Sequence, residues 1–238
     1  MVATLELGGL AVEIVRKDIK NLHLNVHPPT GRVRISAPRR MSADTIRMFA
    51  ISKLGWIRQQ QRKLEAQERE TLREYLDRES HYVWGRRYLL RVVEEEAAPT
   101  VRVEGWRLTL RVRPGTDRES RETVMSAWYR QLVRAAAAPL LEAWSAKLGV
   151  EVSGFVVRHM KTRWGTCNAD ARTIRLNTEL AKKPRECLEY IVVHEMIHLR
   201  DPTHGPTFRA LMDGAMPGWR GTREMLNRLP ARHELWTY

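Results

Sequence analysis

Cysteine is almost missing from this chain: Cys167 and Cys187 are the only two in 238 residues. That excludes a disulfide scaffold, so both read as core thiols and a reducing, cytoplasmic setting is expected. Long hydrophobic runs are missing too. No stretch approaches the roughly 20 apolar residues of a membrane span, so no membrane partner is expected. The opening stretch, Met1 to Leu7, lacks the basic region and apolar core of a secretory signal. Acidic residues are the scarcer charge, with 28 Asp+Glu against 41 Lys+Arg and a net charge of +13. Such a field favours phosphate-bearing partners, nucleic acid among them. The arginines are spread along the chain, however, which is the pattern of an ordinary solvated basic surface. Hydrophobic residues make up 43%, enough to bury a core in one large domain or two small ones.

The stretch from Ile191 to Leu199 is present instead, and it carries His194-Glu195-Met196-Ile197-His198 in an apolar run. On a helix, residues four apart leave the same face about one turn apart. Two neutral imidazoles so placed can share one Zn2+, while the glutamate after the first is poised to take a proton from water. Asp201-Pro202 stops the helix, and His204 follows six residues after His198. A third imidazole would complete three protein ligands and leave a fourth position open, the arrangement of a catalytic rather than a structural zinc site. Asp201 and Glu224 are competing third ligands. His23, His27, His159 and His233 read as isolated histidines.

The rest of the chain reads as α+β. Three short strands are expected between residues 10 and 36 from the period-two series Val12/Ile14, Leu22/Leu24/Val26 and Val33/Ile35, with His27 to Gly31 as a turn. Ser42 is an N-cap for a helix through Leu64, and Arg58 to Glu70 is almost wholly polar. A second β region begins at Trp84, with strands over 101–103 and 108–112 about a Glu104-Gly105 turn. Asp117 or Ser120 opens a long helix that Pro139 should kink or split and Gly149 should end. A strand over 155–164, a turn at Asn168 to Asp170 and a strand over 173–177 lead into the helix of about 184–200. The tail from Met216 reads as one last short helix, ending in Trp236-Thr237-Tyr238. The expected organisation is an N-terminal α+β region over 1–115, with a small β-sheet and a helix, and a C-terminal domain over 116–238 that carries the β-hairpin and the HExxH helix.

The run Lys161-Thr162-Arg163-Trp164-Gly165-Thr166-Cys167, then Ile174 to Asn177, the HExxHxxxxxHG run and Phe208 together resemble the YgjP-like family, which belongs with SprT/WLM-type zinc metallopeptidases. Val33 to Pro38 and Trp56-Ile57 resemble its N-terminal region. Thr166 stands where that family more often has serine, which keeps the hydroxyl. The resemblance implies a zincin-like hydrolase with His194, His198 and His204 as metal ligands and Glu195 as catalytic base. The metal expected is Zn2+, with other divalent ions acceptable to a three-nitrogen site.

The resemblance leaves the substrate open between a peptide or protein and a nucleotide, since similar proteins have been described as UTP pyrophosphatases. Arg163 and Lys161, with Arg175 behind them, precede the metal helix and are the expected substrate-binding cations, suited to phosphate or to an oxyanion. Trp164 reads as core. A hairpin entering the helix could lay a strand edge along the cleft for an extended peptide. A further alternative is a nucleic-acid-binding protein with a vestigial metal site. Oligomeric state is not legible.

Overall fold

The computed structural model describes residues 2–27, 30–66, 73–160 and 163–229. Pro28-Pro29, the end of the polar stretch after Ala66, Lys161, His233 and the terminal Trp236-Thr237-Tyr238 lie outside the described residues. The fold is α+β, as expected, in two compact units that divide between residues 70 and 71.

The first unit begins with β1 (Val2–Leu7), β2 (Leu10–Lys17), β3 (His23–His27) and β4 (Arg32–Pro38). Their order in the sheet is β1-β2-β4-β3, with β2 parallel to β4 and both outer pairs antiparallel. The period-two reading of β2 to β4 holds. Val12, Ile14, Val33 and Ile35 face a core closed by Ile46, Ala50 and Ile57. On the opposite face, in-register Glu13 accepts from Arg34 at 3.0 Å. Ser42 caps α1 (Ala43–Ser52) by accepting from the Thr45 N–H. The expected single helix is two, because the chain turns at Lys53 before α2 (Leu54–Ala66).

The second unit opens with β5 (Ser80–Val83), β6 (Arg86–Glu94), β7 (Thr100–Glu104) and β8 (Arg107–Val112). This sheet has the order β5-β6-β8-β7, again with the two inner strands parallel. Leu90, Leu108 and Leu110 from this sheet share one core with Met125 and Val133 of the long helix and Val192 and Met196 of the metal helix. The compact units thus divide at 70/71, whereas the expected domain boundary was 115/116, and the second sheet packs in the same core as the helices that follow it.

Asp117 caps α3 (Arg118–Leu148), accepting from the Ser120 N–H at 2.8 Å, and Gly149 ends it in the left-handed conformation. The helix runs unbroken through Pro139, so of the expected kink or split the split does not occur. Its buried stripe of Met125, Tyr129, Val133, Ala137, Leu141 and Trp144 extends across both sides of the proline, so packing holds the helix where one backbone hydrogen bond is lost.

The strand expected over 155–164 is β9 (Gly154–Arg158), which stops at Arg158; a further strand, β10 (Gly165–Asn168), begins after that range and takes in Asn168 of the expected turn. Both join β11 (Thr173–Asn177), β9 in parallel and β10 antiparallel, which leaves β10 at an edge of this sheet among the described residues. A single 3-10 turn over Thr178–Lys182 leads into α4 (Arg185–Ile197), followed by α5 (Pro206–Ala215) and α6 (Trp219–Arg228). Pro184 sits at the N-cap of α4. The last short helix expected from Met216 onward is α6. Among the described residues, no helix is long and apolar enough to cross a membrane.

Candidate metal centre and cleft

His194 lies in the last turn of α4 and His198 is its C-terminal cap, still in right-handed helical geometry, with φ −63 and ψ −15. The i,i+4 relation therefore survives to the helix end. The chain then reverses. Asp201 accepts from the Thr203 N–H at 2.9 Å and from its hydroxyl at 2.8 Å, an Asx-type turn that returns His204 to the helix face. The ligand atoms of His194, His198 and His204 all lie within 4.8 Å of one another, and His194 Nε2 and His204 Nε2 are 3.1 Å apart. Two nitrogens on one tetrahedral zinc stand about 3.3 Å apart, given Zn–N near 2.05 Å. Spacing and donor type therefore fit one small divalent ion.

Protonation also suits that use. Burial pushes His194 down to about 3, helped by the neighbouring imidazoles of His198 and His204 and the charge of Arg223. His204 is lowered too, again chiefly by burial. His198 Nδ1 lies 3.0 Å from the Asp201 carbonyl oxygen. That contact assigns the proton to Nδ1 and leaves Nε2 its lone pair. Phe208 of α5, fully buried, touches all three imidazoles, with ring centroids 4.9, 4.8 and 4.8 Å away. It forms the apolar floor against which the rings are set.

The competing ligands go elsewhere. Asp201 shapes the turn, and Thr203 holds its carboxyl below the usual range. Glu224 pairs with Arg228 at 3.2 Å. His159, His23 and His27 are outside the cluster.

Glu195 follows His194 and is 5% exposed. Burial raises its carboxyl to about 7, against the opposing charge of Arg163. What buries it is the backbone of β10. A Cβ placed on Gly165 would stand 2.7 Å from Glu195 Oε1, 2.8 Å from its Cγ and 2.9 Å from Ile191 Cγ2. Only a residue without a side chain lets this edge strand press so closely on α4. The histidines and Glu195 line a cleft of about 520 Å3 together with Arg163, Gly165, Thr166, Tyr190 and Arg223. Arg163 thus reaches the cleft as expected, whereas Lys161 lies outside the described residues. Trp164 is half-buried and packs on the core at the cleft wall. Cys167 also lines the wall, and burial, with the Glu195 charge, pushes its thiol up to about 11. Cys187 is raised likewise and both cysteines are free.

A model of the YgjP-like metallopeptidase domain matches residues 20–229. The chain belongs to the YgjP-like family. Membership makes it a metallopeptidase-type hydrolase. No curated protein matches. Among solved structures, the metallopeptidase zymogen of Pyrococcus abyssi abylysin is similar at 25% identity, covering 39% of this chain and 97% of that one, with a TM-score of 0.34. The metallopeptidase zymogen of Methanocaldococcus jannaschii jannalysin is similar at 20% identity, covering 37% and 90%, with a TM-score of 0.34. Likeness at that level leaves the argument to the family match and to the geometry.

Three residues of this YgjP-like site escaped sequence reasoning. Gly165 stood in the motif but its pressure on Glu195 depends on where α4 lies. Arg223 is carried in by α6, which Trp219 stacks against Tyr190 of α4 at a centroid distance of 6.3 Å. Asn177, buried at the end of β11, donates to the carbonyls of Met160 (2.8 Å) and Arg163 (2.7 Å) and accepts from the Glu179 N–H. It ties the Arg163 backbone to the sheet. An amide directly after the alternating Ile174 and Leu176 was the available signal.

Proposed function

We propose that this chain is a zinc-dependent peptidase in which His194, His198 and His204 hold one divalent ion and Glu195 is the general base. The observation that carries the reading is the convergence of three imidazoles beside a buried carboxylate in one cleft. A divalent ion held there would polarise the scissile carbonyl and bring the pKa of a water near 7. Glu195 performs the proton transfers. With its carboxyl raised to about 7, it accepts a proton from the attacking water and returns it to the leaving amine nitrogen near neutral pH. The edge of β10, unpaired among the described residues, accepts an extended peptide as one more strand, and the Gly165 backbone keeps bulk water off Glu195. His198 stays oriented by the Asp201 carbonyl.

Glu195→Gln tests the mechanism. The variant retains bound metal at wild-type stoichiometry by elemental analysis, and its cleavage of an unfolded protein falls about 10²–10⁴-fold. Wild-type turnover in that variant would exclude Glu195 as the base.

A second reading, hydrolysis of UTP to release pyrophosphate at the same site, is favoured by Arg163 and Arg223 on the cleft wall. Chelator-sensitive pyrophosphate release without proteolysis would select it. Nucleic-acid binding with a vestigial metal site has only the net charge of +13 in its favour. The intact set of three histidines and a glutamate weighs against it.

A further inference from the structure

Contiguous with the cleft lies a second pocket, of about 390 Å3, to which Asn168, Thr173 and Arg175 are added, while Arg163, Thr166, Cys167 and Ala169 line both. It is strongly electropositive. No acidic side chain lines it, and neither arginine has a salt bridge to a carboxylate among the described residues. Both arginines are exposed, so both can receive an anion.

Strand register places this pocket relative to a bound peptide. Thr166 pairs with Arg175 and Asn168 with Thr173, so these four side chains stand on one face of the sheet. The opposite face carries Ile174 and Leu176 into the core and sets Gly165 against Glu195. A peptide added to the β10 edge alternates in the same way. Residues aligned with Gly165 or Cys167 turn toward the metal side. The residue aligned with Thr166 turns toward the arginines. Its backbone lies two strand spacings of about 4.8 Å from that of Arg175, and the intervening Thr166 is short. A carboxylate on a one- or two-carbon stem and a guanidinium on its long arm meet over that threonine.

We propose that the Arg163–Arg175 pocket is a specificity subsite for the side chain of Asp or Glu in a peptide paired along β10. The proposal rests on the peptidase reading and names its substrate class as acidic peptides. Arg175 supplies a planar, two-donor contact to the carboxylate, and Arg163 lends charge from the cleft side. Glutamine, equal in size, forfeits the opposite charge and the second acceptor oxygen.

The test separates binding from cleavage. Full-length, metal-loaded Glu195→Gln protein is titrated by fluorescence anisotropy with blocked decapeptides of alternating Thr and Ala that carry one Glu, Gln or Lys at each position in turn. At one register the Glu peptide binds about tenfold or more tightly than the Gln peptide, in line with a charge-assisted hydrogen bond, and the difference shrinks with salt. Adding Arg175→Gln removes the difference, and adding Arg175→Glu shifts the preference to Lys. Arg102→Gln, on β7 of the other sheet, keeps it and shows that net charge alone is not responsible. Equal binding of Glu and Gln peptides, a preference that survives Arg175→Glu, or binding of none of the peptides would overturn the subsite. Wild-type protein is assayed separately on the same peptides and on UTP. Cleavage without acidic preference sinks only the subsite. UTP hydrolysis with no peptide bound or cut sinks the peptidase reading as well and gives the pocket to a triphosphate.

Discussion

A single glycine sets the environment of the Glu195 carboxylate. Gly165 has no unusual φ, so its requirement is for space and not for conformation. A new Cβ would meet not only the Glu195 tip, Oε1 at 2.7 Å, but also Glu195 Cγ at 2.8 Å and Ile191 Cγ2 at 2.9 Å, which sit close to the α4 backbone. Gly165→Ala must therefore either lift β10 from α4 or turn Glu195 aside. Overpacking of this kind costs about 1–3 kcal/mol. The three histidines are untouched, so metal stoichiometry stays at the wild-type value while kcat/KM falls at least about tenfold. Urea unfolding, metal analysis and peptide turnover measured together check this. An alanine variant with wild-type turnover would show that the close approach is not needed. The pair His194 and His198 was legible from residue spacing, because i,i+4 periodicity is built into the helix; His204 was one of three candidates for the third ligand, preferred because it follows the helix closely and because the family resemblance places it there. The pressure of Gly165 was not legible, because it joins residues 30 apart whose meeting depends on packing.

At the scale of elements, the hairpin between β5 and β6 holds the metal helix at its origin. Its turn, Trp84-Gly85, donates the Trp84 N–H to the Ala181 carbonyl at 2.7 Å and the Gly85 N–H to the Lys182 carbonyl at 3.2 Å. Gly85 has φ +77, and a Cβ there would stand 2.9 Å from Pro184 Cγ, the N-cap residue of α4. Gly85→Ala thus combines left-handed strain with a clash at the helix start. Gly105→Ala, with φ +59 and open space around it, carries the strain alone, about 1 kcal/mol. Gly85→Ala is expected to destabilise by about 1–3 kcal/mol more than that control and to lower turnover, whereas Gly105→Ala leaves turnover alone. Equal midpoints for the two variants in urea would dissociate the hairpin from the helix. Sequence reading found β2, β3 and β4 because one face of each is buried and the period of two is visible. It missed β1 and β5. Both are bounded by two-residue turns, Gly8-Gly9 and Trp84-Gly85, with positive φ at both positions. The second turn was taken for the start of a strand, because tryptophan is a strand former that rarely adopts positive φ. It missed α5 as well, where Pro206 at the first turn was the available sign.

At the scale of the whole molecule, the chain uses one sheet plan twice. In each unit two antiparallel outer pairs flank a parallel inner pair, in the order β1-β2-β4-β3 and then β5-β6-β8-β7. Each is followed by a side-chain-capped helix, with Ser42 and Asp117 as the caps. No repeat was detectable in sequence, because a half-buried sheet constrains hydrophobic alternation and turn chemistry far more than residue identity. The two sheets have separate cores with no residue in common, and all three histidines belong to the second unit. Metal should therefore stabilise one unit only. At a free concentration a thousandfold above its dissociation constant, an ion that binds only the folded state adds about 4 kcal/mol. Scanning calorimetry of the metal-loaded protein is expected to show two transitions. Chelator, or His204→Ala, lowers the one that belongs to residues 71–232 and leaves the other in place. A single transition that moves as a whole would mean that the two cores melt together, and two transitions both indifferent to chelator would remove the ion from the folded state altogether.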